Sequence, residues 1–134
     1  FAWEGAVALA GKEDAGCVAT HRFPILRGKS TLLNTAYLFA FFTTKTGDFL
    51  LNEHSRGAAG RNRPLNVGTL LKEAIPVAPM TAQLRVAKYV YFERQFEKTV
   101  AISSRLLAEY RRALISAAVT GKIDVRQEVA SCPV

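Results

Sequence analysis

The chain has two cysteines, one tryptophan, one methionine and no run of about 18 apolar residues. Each scarcity excludes something. Without a long apolar run, no transmembrane helix is expected. The greasiest segment, around Phe39–Phe42, is bracketed too closely by polar residues to span a bilayer. Cys17 and Cys132 lie far apart, so they form no disulfide framework; two lone thiols fit a reducing cytoplasm. A nucleotide-binding Gly-x4-Gly-Lys-Ser/Thr loop is also missing. "GKST" at 28–31 echoes its end, but Phe23 stands where the first glycine should be, so the stretch reads as a turn.

Catalytic patterns are absent too. There is no Pro-Pro, which excludes the Asn/Asp-Pro-Pro-aromatic loop that holds a target amine in base methylation. There is no Glu-x-Lys, which nucleases commonly use with a further acidic residue to hold Mg²⁺. Cys17, His21 and His54 match no tetrahedral metal spacing and lack a fourth ligand. A non-catalytic protein with no cofactor and no metal is expected. The start, "FAWEGAVALAG", has no basic n-region and does not read as a signal peptide. It reads as if in mid-strand, which suggests a piece of a longer protein.

What is present begins with charge. Eighteen basic against eleven acidic residues give +7, which favours an acidic partner, nucleic acid first. Arg56, Arg61 and Arg63 stand in "SRGAAGRNRPLN" with Asn62 between the last two. The glycines and small residues make this a loop. Arginine can contact guanine, and asparagine adenine, through paired hydrogen bonds. Arg56, Arg61, Asn62 and Arg63 are therefore the candidate DNA-binding residues. Arg56, nearest the preceding helix, can alternatively pair with Glu53.

"GAVALA" (5–10) and "CVATHRFPIL" (17–26) read as two strands joined by the turn "GKEDAG", a hairpin. From Asn34, a plausible N-cap, the period changes, and Leu38, Phe41 and Phe42 share a helical face. Gly47 is expected to break this helix, with a second short one over 48–53. "VGTLLKEAIPVAP" reads as a helical turn leading into an extended stretch limited by Pro76 and Pro79.

From Thr81 to Thr120 there is neither Pro nor Gly. Thr81 is a fair N-cap and Gly121 a good C′ residue. Forty residues at ~1.5 Å each predict a helix of roughly 60 Å, more than a small domain needs. Val86, Tyr89, Phe96, Val100, Leu107, Tyr110, Leu114 and Ala117 recur in steps that fit a coiled-coil seam, with Ala82, Glu93 and Ser103 in the gaps. Phe92, Leu106 and Ala113 widen it on one side. Such a stripe needs a partner, since each apolar side chain left in water forfeits about 1.5–3 kcal/mol of burial. Tyr89, Phe96, Val100, Leu107, Tyr110 and Leu114 are the candidate partner residues. The expected fold is α+β: a small body over 1–80, one long helix over 81–121 and a tail over 122–134.

"IPVAPMTAQLRVAKYV", followed some thirty residues later by "RRALISAAVTGKIDVR", resembles the specificity subunits of type I restriction–modification enzymes. In that family a target-recognition domain ends in an Ile-Pro-hydrophobic-Pro-Pro-Leu-x-Glu-Gln-like linker. A long helix follows and closes with an "R-x-A-L-I-S-A-A-V-T-G-x-I-D-V-R"-like sequence. The match over 111–126 is close; the linker departs at Ala78, Met80 and Ala82. "WEGAVALAG", "HRFP" and "GAAGRNRPL" look like the latter half of a recognition domain, so the resemblance covers nearly the whole chain.

The resemblance implies a partial target-recognition domain that reads part of a split target in double-stranded DNA. The helix would act as spacer and as docking rod for methyltransferase subunits, with a restriction subunit as a further partner. With one such helix in the chain, a homodimer with antiparallel helices would imitate the two-helix subunit. The competing expectation is a coiled-coil dimerisation or adaptor protein without DNA binding. It explains the helix but neither the arginine loop nor the C-terminal signature.

Overall fold

The computed structural model describes residues 1–20, 22–57 and 63–124. The chain divides into two units, Phe1–Tyr91 and Phe92–Val134, the second described as far as residue 124. The first holds α1 (Thr35–Phe42), α2 (Lys45–Glu53), α3 (Val67–Leu70) and the opening turns of α4 (Met80–Val119).

The helix starts follow from side-chain oxygens. Asn34 Oδ1 accepts from the N–H groups of Ala36 and Tyr37 at 2.9 and 3.2 Å, so it caps α1 as expected. Thr44 Oγ1 accepts from Gly47 N–H at 3.2 Å and caps α2; Asn66 Oδ1 accepts from Thr69 N–H at 3.1 Å and caps α3.

Two apolar clusters make the core of the first unit. In one, Phe41 and Phe42 of α1 meet Leu51 of α2 and Leu70 of α3, with Val7, Leu26, Leu38 and Ile75 at the edge. The two rings meet edge to face, 5.5 Å between centroids. In the other, Leu9 and Ala36 meet Ala87 and Val90 of α4, with Phe39 and Val86 alongside. Gln83, Ala87 and Val90 are the buried positions of α4, spaced i, i+4, i+7 on one helical face.

Gln83 is buried yet polar, and every part of its amide is satisfied. Its Oε1 accepts from Asn34 N–H at 2.7 Å, and its Nε2 donates to the carbonyls of Leu32 and Ala78 at 3.0 and 2.7 Å. One side chain thus ties the 29–32 turn, the start of α1 and the proline-limited linker to α4. Tyr37 Oη adds a bond to the Pro76 carbonyl at 3.0 Å.

Four expectations are corrected. The first is the α+β mixture. Among the described residues the architecture is helical, and the sole β pairing is an isolated antiparallel bridge between Ser55 and Leu65. The 5–10 and 17–26 segments form no hairpin. Leu9 and Val7 turn into separate helical clusters, while Val18, Phe23 and Ile25 are 71–97% exposed. Two strands with no covered apolar face are marginal by themselves, and here only Val7, Leu9 and Leu26 find cover, each in a helical cluster.

The second correction is Gly47, which does not break a helix but lies buried inside α2. The break falls at Thr43–Thr44. A Cβ at Gly47 would collide with the Phe41 carbonyl oxygen and Phe42 Cα, so glycine lets α2 pass close over the end of α1. The third is the start of α4. The helix begins at Met80, and the Pro79 carbonyl accepts from the N–H groups of Ala82 and Gln83 at 2.9 and 3.1 Å. The fourth is Val86, the first seam position, which packs against the core cluster instead. The opening turns of α4 thus pack into the core of the first unit.

In the second unit α4 continues unbroken to Val119. Its end is a Schellman motif. Gly121 has φ +71°, its N–H bonds to the Ala118 carbonyl at 3.1 Å, and Lys122 N–H reaches back to the Ala117 carbonyl at 2.8 Å. The glycine stop expected from sequence is where it was placed. Arg105 and Glu109 form an i,i+4 ion pair at 3.8 Å along the helix. No helix among the described residues is long and apolar enough to cross a membrane.

Candidate nucleic-acid interface

The arginine loop leaves α2 and returns to α3. Its base is closed by the Ser55–Leu65 bridge and by Asn66 N–H donating to the His54 carbonyl at 2.8 Å. Ser55 is wholly buried. The two described ends of the loop are thus held together.

Arg63 is part of that loop base. Its Nε donates to the Ser55 carbonyl at 2.9 Å, and one terminal nitrogen donates to Asn52 Oδ1 at 3.3 Å. The guanidinium carbon lies 5.1 Å from the centroid of the Trp3 ring. Asn52 in turn donates to the Trp3 carbonyl at 3.4 Å. Arg63 thereby joins the N-terminal segment, α2 and the loop base. Its geometry is that of a positioning residue, because two donors and one ring face are already engaged.

Arg56 behaves as the sequence allowed. It donates from Nε to the Glu53 carbonyl at 3.1 Å and pairs with the Glu53 carboxylate at 3.0 Å. The side chain is 79% exposed. Such an exposed i,i+3 pair contributes little to stability. Arg61 and Asn62, the other two candidates, lie outside the described residues, as does His21. Cys17 is free and exposed, and Cys132 lies outside the described residues.

Beside the loop base is an open cavity of about 550 Å³, lined among others by Phe49, Glu53, His54, Arg56 and Glu73. His54 Nδ1 lies 2.9 Å from Thr69 Oγ1, and Nε2 lies 2.9 Å from Glu73 Oε1. His54 is thus a clasp between α2 and α3, a role its position in the sequence did not reveal. Among the described residues no group of three or more His, Cys, Asp or Glu could hold a metal ion.

The six candidate partner residues of α4, Tyr89, Phe96, Val100, Leu107, Tyr110 and Leu114, are all solvent-exposed, between 41 and 69%. Phe92 and Leu106, which widen the stripe, are exposed as well. These side chains lie uncovered along one face of α4, and Leu84, Tyr91, Ile102 and Ile115 are exposed elsewhere on the helix. Sequence reasoning missed Gln83 and Trp3. A lone polar residue in a helical pattern gave no signal for the one, and the distant arginine gave none for the other.

No protein-family model matches the chain, and no curated protein or solved structure matches it either.

Proposed function

We propose that this chain is a DNA-specificity subunit of a type I restriction–modification system, or a piece of one. It would carry no catalysis of its own and would work in the cytoplasm beside methyltransferase subunits. In this reading, part of a split duplex target is read from the arginine loop. Arg61 and Asn62 meet bases or phosphates, Arg56 moves from Glu53 to a phosphate, and Arg63 holds the loop base. The long helix spaces the recognition body and docks the methyltransferase subunit, with a restriction subunit joining the assembly.

The observation that carries this reading is α4. It runs unbroken from Met80 to Val119, bears an exposed apolar face, and stops at Gly121, the glycine of the signature sequence. The +7 charge supports an acidic partner. The coiled-coil adaptor stands as a second reading, favoured by one observation: both described loop arginines are engaged by the protein itself.

The deciding experiment is binding to duplex DNA across a salt titration, with and without a methyltransferase subunit. The specificity reading expects a stable complex with that subunit and an affinity for DNA that falls log-linearly with salt. Complex formation without any DNA binding would leave the adaptor reading standing.

A further inference from the structure

We infer that a second copy of this chain covers the exposed face of α4 in one defined antiparallel register, in which Glu97 of each copy meets Arg111 of the other. The inference rests on the antiparallel homodimer expected for the long helix and adds its register and the residues that set it.

The argument starts from heptads. Over 93–117 the face advances in strict alternation of three and four residues. Glu93, Val100, Leu107 and Leu114 take one core position, a; Phe96, Ser103, Tyr110 and Ala117 take the other, d. Glu97, Ser104 and Arg111 then flank one side at e, and Thr99, Leu106 and Ala113 flank the other at g. Glu97, Ser104 and Arg111 are exposed.

A parallel, in-register pair places each a residue against its own copy. Glu93 would face Glu93 inside the seam, two like charges in a low-dielectric setting, which is unfavourable. The e and g positions offer nothing in return: Phe92 would face Glu97, Thr99 would face Ser104, and Leu106 would face Arg111.

An antiparallel pair places a against d. Of the possible registers, one sets Val100 against Tyr110 and Phe96 against Leu114. Leu107 then faces the small Ser103, and Glu93 faces Ala117 at the end of the seam, where its carboxylate reaches water. Large side chains meet smaller ones in each layer, as close packing requires. In that register the e positions bring Glu97 beside Arg111 twice, by symmetry, with Ser104 against Ser104 between them. On the other flank Leu106 meets Leu106. Slipping by one heptad either way moves Glu97 off Arg111 and loses both ion pairs. Exchange of the two charges across a symmetric interface is the signature of an isologous contact.

The test uses the full chain in a Cys17→Ser, Cys132→Ser background. Two versions carry Val100→Cys or Tyr110→Cys, one of them tagged so that mixed dimers separate by mass. After oxidation each version alone should stay uncrosslinked, and the mixture should yield the tagged–untagged disulfide. Sedimentation supplies the second measurement. Glu97→Arg should weaken association roughly tenfold, since it replaces attraction by repulsion at two symmetric places; Glu97→Arg with Arg111→Glu should restore it. A dimer in which Val100→Cys crosslinks to itself is parallel and overturns the register. So does a dimer in which the mixture fails to crosslink, or in which the charge swap restores nothing. A parent chain that sediments as a monomer at micromolar concentration overturns the dimer reading itself, and the register with it.

Discussion

The Oε1 of Gln83 accepts the backbone N–H of Asn34 at 2.7 Å across 49 residues of sequence. Asn34 is itself the cap of α1, so the first turns of the long helix hold the start of the first helix. Replacing Gln83 by Leu roughly keeps the volume but leaves the part-buried Asn34 N–H and Leu32 and Ala78 carbonyls without this partner. The expected loss is about 2–3 kcal/mol, since each orphaned polar group costs roughly 1–3 kcal/mol and some relax toward water. Urea unfolding followed by far-ultraviolet circular dichroism checks it. An unchanged midpoint would show that the bonds are not maintained in solution.

Gly47→Ala offers a case where helix propensity and packing disagree. Alanine is better in a helix interior by roughly 1 kcal/mol. Here its Cβ meets the backbone of Phe41 and Phe42, which cannot move aside as a flexible side chain would. The substitution is expected to destabilise by about 2 kcal/mol or more, as overpacking does. A stabilised variant in thermal unfolding would mean that α1 and α2 do not approach so closely.

The three loop arginines should separate by assay. Arg63→Ala removes the bonds to Ser55 and Asn52 and the contact with Trp3, and should cost about 1–2 kcal/mol of stability. Arg56→Ala should change stability by less than about 0.5 kcal/mol, because an exposed pair contributes little. Under the specificity reading, Arg61→Ala should weaken DNA binding in the complex by about 1–3 kcal/mol if it meets a base. If it meets a phosphate, the salt slope should become shallower. Unfolding curves for the first two variants and DNA titrations at two salt concentrations for the third provide the measurements.

Gly121→Ala probes the helix stop. No atom lies near an added Cβ, so the cost is conformational: φ +71° disfavours an alanine by about 1–2 kcal/mol. The effect should be local. Amide exchange should accelerate at position 121 and at Lys122, whose N–H groups close the motif, with no loss of global stability. Unaltered exchange there would mean that another arrangement ends the helix.

Local chemistry by itself determined much of this protein. The continuity of α4 follows from forty residues without Pro or Gly, its end from Gly121, the start of α1 from Asn34, and the Arg56–Glu53 pair from a spacing of three. Each of these depends on partners within one or two helical turns, and periodicity and capping preferences report such partners directly. Tertiary structure decided the rest. Whether 5–10 and 17–26 become strands depends on what covers them: the helical clusters take Val7, Leu9 and Leu26 one by one and leave Val18, Phe23 and Ile25 exposed. Val86 fits the seam period yet is claimed by the core, because Leu9, Ala36 and Val90 are there to receive it. Gly47 reads as a breaker in sequence and serves as a contact in space. Gln83 and Arg63 act on groups far away along the chain, and no local pattern encodes where a buried amide or guanidinium finds its acceptors.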